Sequence, residues 1–191
     1  MKRLAILGAS GHGKVVAEAA LLSGWESVSF FDDAYPEKKQ LSSWSVYGTT
    51  SDLIQNSNNF DGVHIAIGDN LIRHNKFDEL AGLNIVSIIH PSAVISSSAA
   101  IGHGAAIFGG VVINAESVIG TGAILNTGCT VDHDCSIGEF SHISPGVHLA
   151  GHVEVGALSW LGIGSSVIQC LSIGTNTIIG AGSVVVKDIP G

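Results

Sequence analysis

From Ile95 to Val185 an aliphatic residue stands at every sixth position without a miss: Ile95, Ile101, Ile107, Ile113, Ile119, Leu125, Val131, Ile137, Ile143, Leu149, Val155, Leu161, Val167, Ile173, Ile179 and Val185. A helix repeats every 3.6 residues and an ordinary strand every two, so neither template produces a sustained six. Four residues after each aliphatic comes mostly a small side chain, as at Ala99, Ala105, Ser117, Ala123, Cys129, Cys135, Ser141, Ser159, Ser165, Thr177 and Ser183, with Leu171 and Ile189 as bulkier exceptions. One large and one small inward residue per hexad predicts a solenoid with a narrow, regularly stacked core.

The N-terminal half follows another rhythm. The apolar run Leu4–Leu7 ends in Gly8-Ala9-Ser10-Gly11-His12-Gly13 and continues into the helix-forming Lys14–Ala20, a strand, glycine turn and helix. Further apolar runs at Val28–Phe31, Val63–Ile67 and Ile85–Ile88, with a helical stretch from Leu71 to Leu80, predict a small parallel α/β sheet. The seam is expected near His90-Pro91, where the hexads take over. The glycine loop departs from a P-loop at one residue: Gly8-x4-Gly13-Lys14 is followed by Val15, where a hydroxyl would hold magnesium, so ATPase or GTPase activity is not expected. Its spacing is GxxGxG, not the GxGxxG of dinucleotide sites. Backbone N–H groups at a helix N-terminus can still receive a phosphate, and Asp32 or Asp33, at a strand end, can bind a ribose hydroxyl. A nucleotide-type ligand is therefore preferred over a merely tight turn.

The 191 residues carry 16 acidic and 8 basic side chains, a balance that disfavours a nucleic-acid surface while leaving a small anionic ligand open. A hydrophobic content of 46% argues against disorder. An apolar strand follows Met1 directly, with no basic leader and no apolar run of spanning length, so neither export nor a membrane span is expected and the chain reads as cytoplasmic. Three cysteines cannot all pair. Cys129 and Cys135 occupy the small inward position, which reads as packed thiols, and the absence of a CxxC pair argues against zinc.

Two segments carry a family resemblance. The stretch Asn126-Thr127-Gly128-Cys129-Thr130-Val131-Asp132-His133-Asp134-Cys135-Ser136-Ile137-Gly138-Glu139-Phe140-Ser141-His142-Ile143-Ser144-Pro145-Gly146, together with the glycine loop, resembles the sialic acid O-acetyltransferase and nucleotide-aminosugar N-acetyltransferase family over essentially the full chain. Within it, the resemblance is to bacterial enzymes of the bacillosamine or perosamine type, which use acetyl-CoA to acetylate the 4-amino group of a nucleotide-linked 4-amino-4,6-dideoxy sugar. The implied fold is an N-terminal small parallel α/β (Rossmann-like) domain, residues 1–89, followed by a left-handed parallel β-helix of hexapeptide repeats, residues 90–191, with three hexads to a triangular coil. The resemblance also implies a short tail over the adenine end of the cofactor, beyond Asp188-Ile189-Pro190-Gly191.

Residue by residue, the resemblance makes His133 the catalytic base and Asp134 its acidic partner. An imidazole with an ordinary pKa near 6.5 can take a proton from a sugar amine at neutral pH, and a nearby carboxylate steadies its cation. His142, the Gly151 N–H, Ile163 and Ala181 match positions along acetyl-CoA, with Gly151 near the thioester carbonyl. Ser10, Gly11, His12 and Asp32 match the nucleotide-binding segment, Asn70 and Arg73 fall in a Gly-Asp-Asn-x-x-Arg segment where Arg73 can pair with phosphate, and Asn126 matches a substrate-side position. Transfer is expected to be direct, without an acyl-enzyme. No metal site is expected, because His133, His142, His148 and His152 should fall on different faces of a coil, and His103, His148 and His152 read as solvated. A homotrimer with acetyl-CoA between neighbouring β-helices is implied, acting in bacterial surface-polysaccharide or glycan synthesis. Two rival readings stay open: an O-acetyltransferase on sialic acid or another sugar, and a non-catalytic solenoid that needs the hexads but not His133-Asp134.

Overall fold

In the computed structural model, which describes residues 2–191, the hexads wind into a parallel β-helix with three faces. Each hexad gives a two-residue strand ending on its aliphatic, paired in parallel with the strand eighteen residues on, as in Val112↔Thr130 and Ile113↔Val131. The first face runs from Ile88–Ile89 to Ile178–Ile179, the second from Val94–Ile95 to Val184–Val185, and the third from Ala100–Ile101 to Ser172–Ile173. The aliphatics form one buried column. Small polar residues are tolerated inside where the hydroxyl reaches a turn carbonyl, as Ser117 Oγ donates to Asp132 O, Ser141 Oγ to Gly156 O and Ser159 Oγ to Gly174 O, although the buried Ser165 Oγ finds no such partner. Cys129 and Cys135 are buried as expected, and Cys170 is exposed.

The corners need backbone in the left-handed region. Between the first and second faces glycines supply it, for example Gly128 and Gly146 at φ 68° and 65°. Between the second and third faces Glu116, Asp134, His152 and Cys170 supply it, at φ 58–60°. These four stand eighteen apart and therefore stack as a ladder along one edge of the prism.

The N-terminal unit holds a parallel sheet in the order β2 (Ser27–Phe31), β1 (Arg3–Leu7), β5 (Gly62–Ile65), with α1 (Gly11–Leu22) and α3 (Asn70–Glu79). The segment between β2 and β5 adds a short antiparallel pair, β3 (Gln40–Leu41) and β4 (Trp44–Ser45), and α2 (Thr50–Gln55), opened by a Thr49/Asp52 capping box. The fourth apolar run does not complete the sheet. Ile85 makes a single bridge to Val63, while Ile88–Ile89 pairs with Ala106–Ile107. Ile89 stands eighteen residues before Ile107, already in hexad register, so the solenoid captures it.

The two units share a core. Val16, Ala17 and Ala20 of α1 pack with Ile88, Ala106, Phe108 and Ile124, apolar residues on the outside of the upper first face. Helix α3 lies along the corner between the third and first faces, where Phe140 stacks on His74 at 4.5 Å and meets Phe77 edge-on at 5.4 Å. Gly122 makes room there, since a Cβ would collide with the Phe140 ring. Below this contact the outward residues of the first face are His142, Trp160 and Ile178, which open onto a cleft. Among the described residues, no helix is long and apolar enough to cross a membrane.

Candidate active site

His133 sits on the corner between the second and third faces. The left-handed conformation at Asp134, which Asp adopts more readily than most residues, folds its carboxylate back so that Oδ2 accepts from His133 Nδ1 at 2.7 Å. With Nδ1 donating, Nε2 presents a lone pair. Asp132 fixes the turn by accepting from the His133 N–H at 2.9 Å and from Asn114 Nδ2 at 2.8 Å. The imidazole rests on Gly151 of the next coil, where a Cβ would lie 2.6 Å from Cε1 and Nε2. The Gly151 N–H has no acceptor among the described residues. The bond to Asp134, outweighing slight burial, raises the His133 pKa above the usual imidazole value. His152 is also here, its Nε2 3.6 Å from Asp134 Oδ2 and its ring perpendicular to that of His133 at 5.3 Å. The expected separation of the histidines therefore fails for this pair, because Asp134 and His152 stand one coil apart in the same ladder.

The other expected residues lie across the prism, along the seam with the α/β unit. His142 stacks on Trp160 at 5.8 Å and 8°, and Asn126 Nδ2 lies 3.3 Å from its Nε2. Burial, then the charge of Arg73, lowers the His142 pKa to about 4, so the ring is neutral and acts as a hydrogen-bonding group. Arg73 does not face a phosphate. It is 2% exposed, and carbonyls cage it: Nε donates to Gly122 O at 2.7 Å, Nη1 to Ile67 O and Gly68 O at 2.9 and 3.2 Å, and Nη2 to Phe140 O at 2.7 Å. Nη2 also donates to Asn70 Oδ1 at 2.9 Å, and Asn70 Nδ2 reaches Leu158 O at 2.9 Å, so both residues of the Gly-Asp-Asn-x-x-Arg segment tie the α/β unit to the β-helix. The caging of Arg73 corrects the expectation that it pairs with phosphate, while Asn70 still lines the cleft beside His142.

The glycine loop is more open. Ser10 precedes α1 without capping it, the first turn has no acidic residue, and Gly11 is exposed, with no atom within 4 Å of the point a Cβ would occupy. Gly13, by contrast, is packed against the Gly8 carbonyl. The His12 ring lies edge-on to Phe108 at 5.4 Å, and burial above all lowers its pKa to about 3, so it brings no cation to the loop. Asp32 accepts from the Ala9 N–H at 2.8 Å, the Ala34 N–H at 3.0 Å and Lys38 Nζ at 3.1 Å. Burial opposes its ionisation, yet these donors hold its pKa below the usual carboxylate value. Its carboxylate thus shapes the glycine loop.

Ile163 and Ala181 occupy a third place, the exposed corner between the first and second faces, where the Gly182 N–H donates to Ile163 O at 2.8 Å. One chain therefore carries the expected residues in separate groups: His133, Asp134 and Gly151 on one corner, and His142, Asn126 and the glycine loop around the opposite face.

The fold as a whole matches solved structures. The acetyltransferase domain of PglB from Neisseria gonorrhoeae, in complex with acetyl coenzyme A, is 40% identical, with 99% of this chain and 93% of that chain covered and a TM-score of 0.94. The chain belongs to the nucleotide-aminosugar branch of the hexapeptide-repeat acetyltransferases. A variant of GDP-perosamine N-acetyltransferase from Caulobacter crescentus, solved with CoA and GDP-perosamine, is 39% identical over 100% of this chain and 91% of that one, with a TM-score of 0.94. The PglD N-terminal domain family matches residues 3–80. Curated sequences match over shorter stretches: the chain spans 50% of the UDP-N-acetylbacillosamine N-acetyltransferase of Bacillus subtilis, at 36% identity, and 26% of an acetyltransferase-like protein of Staphylococcus aureus, at 43%.

In this member of the family two cavities meet at Gly68. One, about 290 Å³, lies at the C-terminal ends of β1, β2 and β5, between Gly8, Ser10, Asp32 and Lys76. The other, about 390 Å³, lies between Asn70, Leu71, His142, Trp160 and Ile178. Trp160 and His152 carry no motif of their own in the sequence, although each stands eighteen residues after a residue that does, His142 and Asp134.

Proposed function

We propose that this chain transfers acetyl from acetyl-CoA to the 4-amino group of a nucleotide-linked 4-amino-4,6-dideoxy sugar, directly and with His133 as general base. The observation that carries the proposal is the His133–Asp134 pair resting on Gly151. As the neutral amine attacks the thioester carbonyl, a proton passes from nitrogen to His133 Nε2, Asp134 stabilises the imidazolium through Nδ1–H, and the Gly151 N–H is free to donate to the oxyanion. The imidazolium then returns the proton to the departing CoA thiolate. An acyl-enzyme on Cys129 or Cys135 is disfavoured, since burial pushes the Cys129 thiol to about 12 and raises Cys135 as well. The exposed corner at Ile163 and Ala181 supports a pantetheine track.

The first cavity suits the nucleotide. Lys38 is paired with Asp32, Lys76 with Asp33 and Glu79, and Arg73 is buried, so these three cations are engaged elsewhere and the free backbone N–H groups of Ser10, Gly11 and His12 can receive the diphosphate. Because the pieces of the site lie on opposite sides of one prism, His133 works on a sugar held by a neighbouring chain, which supports a homotrimer. Unpaired cysteines fit the reducing cytoplasm, where the enzyme would supply bacterial glycan synthesis.

Three measurements test these assignments. A thiol-release assay with acetyl-CoA should give CoA with one of the UDP-, GDP- or dTDP-linked 4-amino-4,6-dideoxy sugars; turnover with sialic acid alone would move the chain to O-acetyl transfer. In the Gly11→Ala variant the new methyl meets no protein atom and helix propensity gains up to about 1 kcal/mol, so Tm should hold or rise while KM for the nucleotide sugar climbs tenfold or more. An unchanged KM would remove the diphosphate from this helix end. Asp134→Asn removes the group that raises the His133 pKa. A base works only when deprotonated, so the acidic limb of kcat/KM should move to lower pH as its plateau falls, whereas an unmoved limb would mean that His133 is not the titrating base.

A further inference from the structure

The corner that holds the base also gathers three metal-binding atoms. His133 Nδ1, Asp134 Oδ2 and His152 Nε2 all lie within 4.8 Å of one another. Two of the separations are 2.7 Å, from His133 to Asp134, and 3.6 Å, from Asp134 to His152. Ligand atoms about 2.0–2.1 Å from a tetrahedral zinc ion stand about 3.3 Å apart, between these two values. The side chains are 52%, 43% and 59% exposed, so small rotations close the difference, and two imidazoles with one carboxylate leave a fourth position for water. The arrangement follows from the coil: the ladder sets His152 one rung from Asp134, and the left-handed turn brings Asp134 to His133.

We propose that His133, Asp134 and His152 form a divalent transition-metal site of zinc type whose occupation switches acetyl transfer off. The inhibitory half of the inference rests on His133 being the base; the binding half does not. Neutral His133 carries its proton on Nδ1, where Asp134 accepts it. A metal ion on Nδ1 displaces that proton, which moves through solvent to Nε2. No net proton is released from the ring, and Nε2 loses the lone pair that would accept the proton of the amine. The same carboxylate that keeps the ring in its working tautomer would thus help to hold it in the idle one.

The test uses the intact chain, stripped with chelator, in a buffer that does not bind metal. Calorimetry with Zn2+ should show one site per chain, and Co2+ should give the absorption of a tetrahedral ion. His152→Gln should weaken Zn2+ binding tenfold or more, keep turnover within twofold of the parent without metal, and raise the Zn2+ concentration for half-inhibition by a similar factor; chelator should restore the parent. Equal Zn2+ affinity in the parent and His152→Gln would overturn the site. Stoichiometric His152-dependent binding with undiminished turnover would overturn the switch. Because calorimetry needs no substrate, a chain without acetyl transfer would still report on the site.

Discussion

Replacing His133 by alanine is expected to lower kcat by a factor of about 10²–10⁴, the range for removal of a positioned acid–base group, while the chain stays folded and still binds acetyl-CoA. The imidazole is half exposed, and the turn that carries it does not depend on the ring. Asp132 holds the backbone N–H of residue 133, and the Asp134 N–H donates to Ala115 O at 2.9 Å. What the ring supplies is Nε2, aimed by the Asp134 bond and by the glycine floor beneath it. A large loss of kcat with unchanged Tm and little change in KM is therefore the signature of a base. Full turnover in a folded His133→Ala chain would sink the catalytic assignment and leave proton removal to solvent.

The β-helix is legible in the sequence because its rule is one-dimensional: a six-residue period places every aliphatic inside, and pairing at eighteen residues follows from three equal sides. His133 and Asp134 are legible as a motif, but their geometry depends on the positive φ at Asp134, which no residue type announces as a glycine does. His152 can be found by adding one coil to Asp134. The fourth apolar run reads as a sheet strand because a strand of a sheet and the first rung of a solenoid have the same composition, and only its register with Ile107 separates them. Helix α2 carries a readable signal in its Thr49-x-x-Asp52 box. The surroundings of Arg73 carry none. An arginine beside a glycine-rich turn invites an anion, whereas the carbonyls that surround it come from Ile67, Gly122 and Phe140, which meet only after the coil has formed.

That difference makes Arg73→Met the sharper test of the seam. Arginine has five N–H donors, and here they are shared among backbone carbonyls and Asn70 Oδ1. No other donor reaches the carbonyls of Ile67, Gly122 or Phe140 among the described residues. Methionine fills much of the volume but satisfies none of them, and each buried group left unpaired costs about 1–3 kcal/mol. Burial already lowers the arginine pKa to about 10, a charge held by dipoles with only Asp69 nearby to favour it, so part of the loss is recovered when the cation is removed. The net effect is expected at about 3–5 kcal/mol, which for a chain of this size lowers Tm by roughly 10 °C. Lysine should rescue poorly, because a single ammonium cannot span acceptors on two units. Had Arg73 served a phosphate, the variant would keep its Tm and lose only affinity for the nucleotide sugar. A wild-type melting curve with a raised KM would restore that reading; a fall in Tm without substrate shows that the cation holds the Gly68–Asn70 lip, and with it both cavities, against the β-helix.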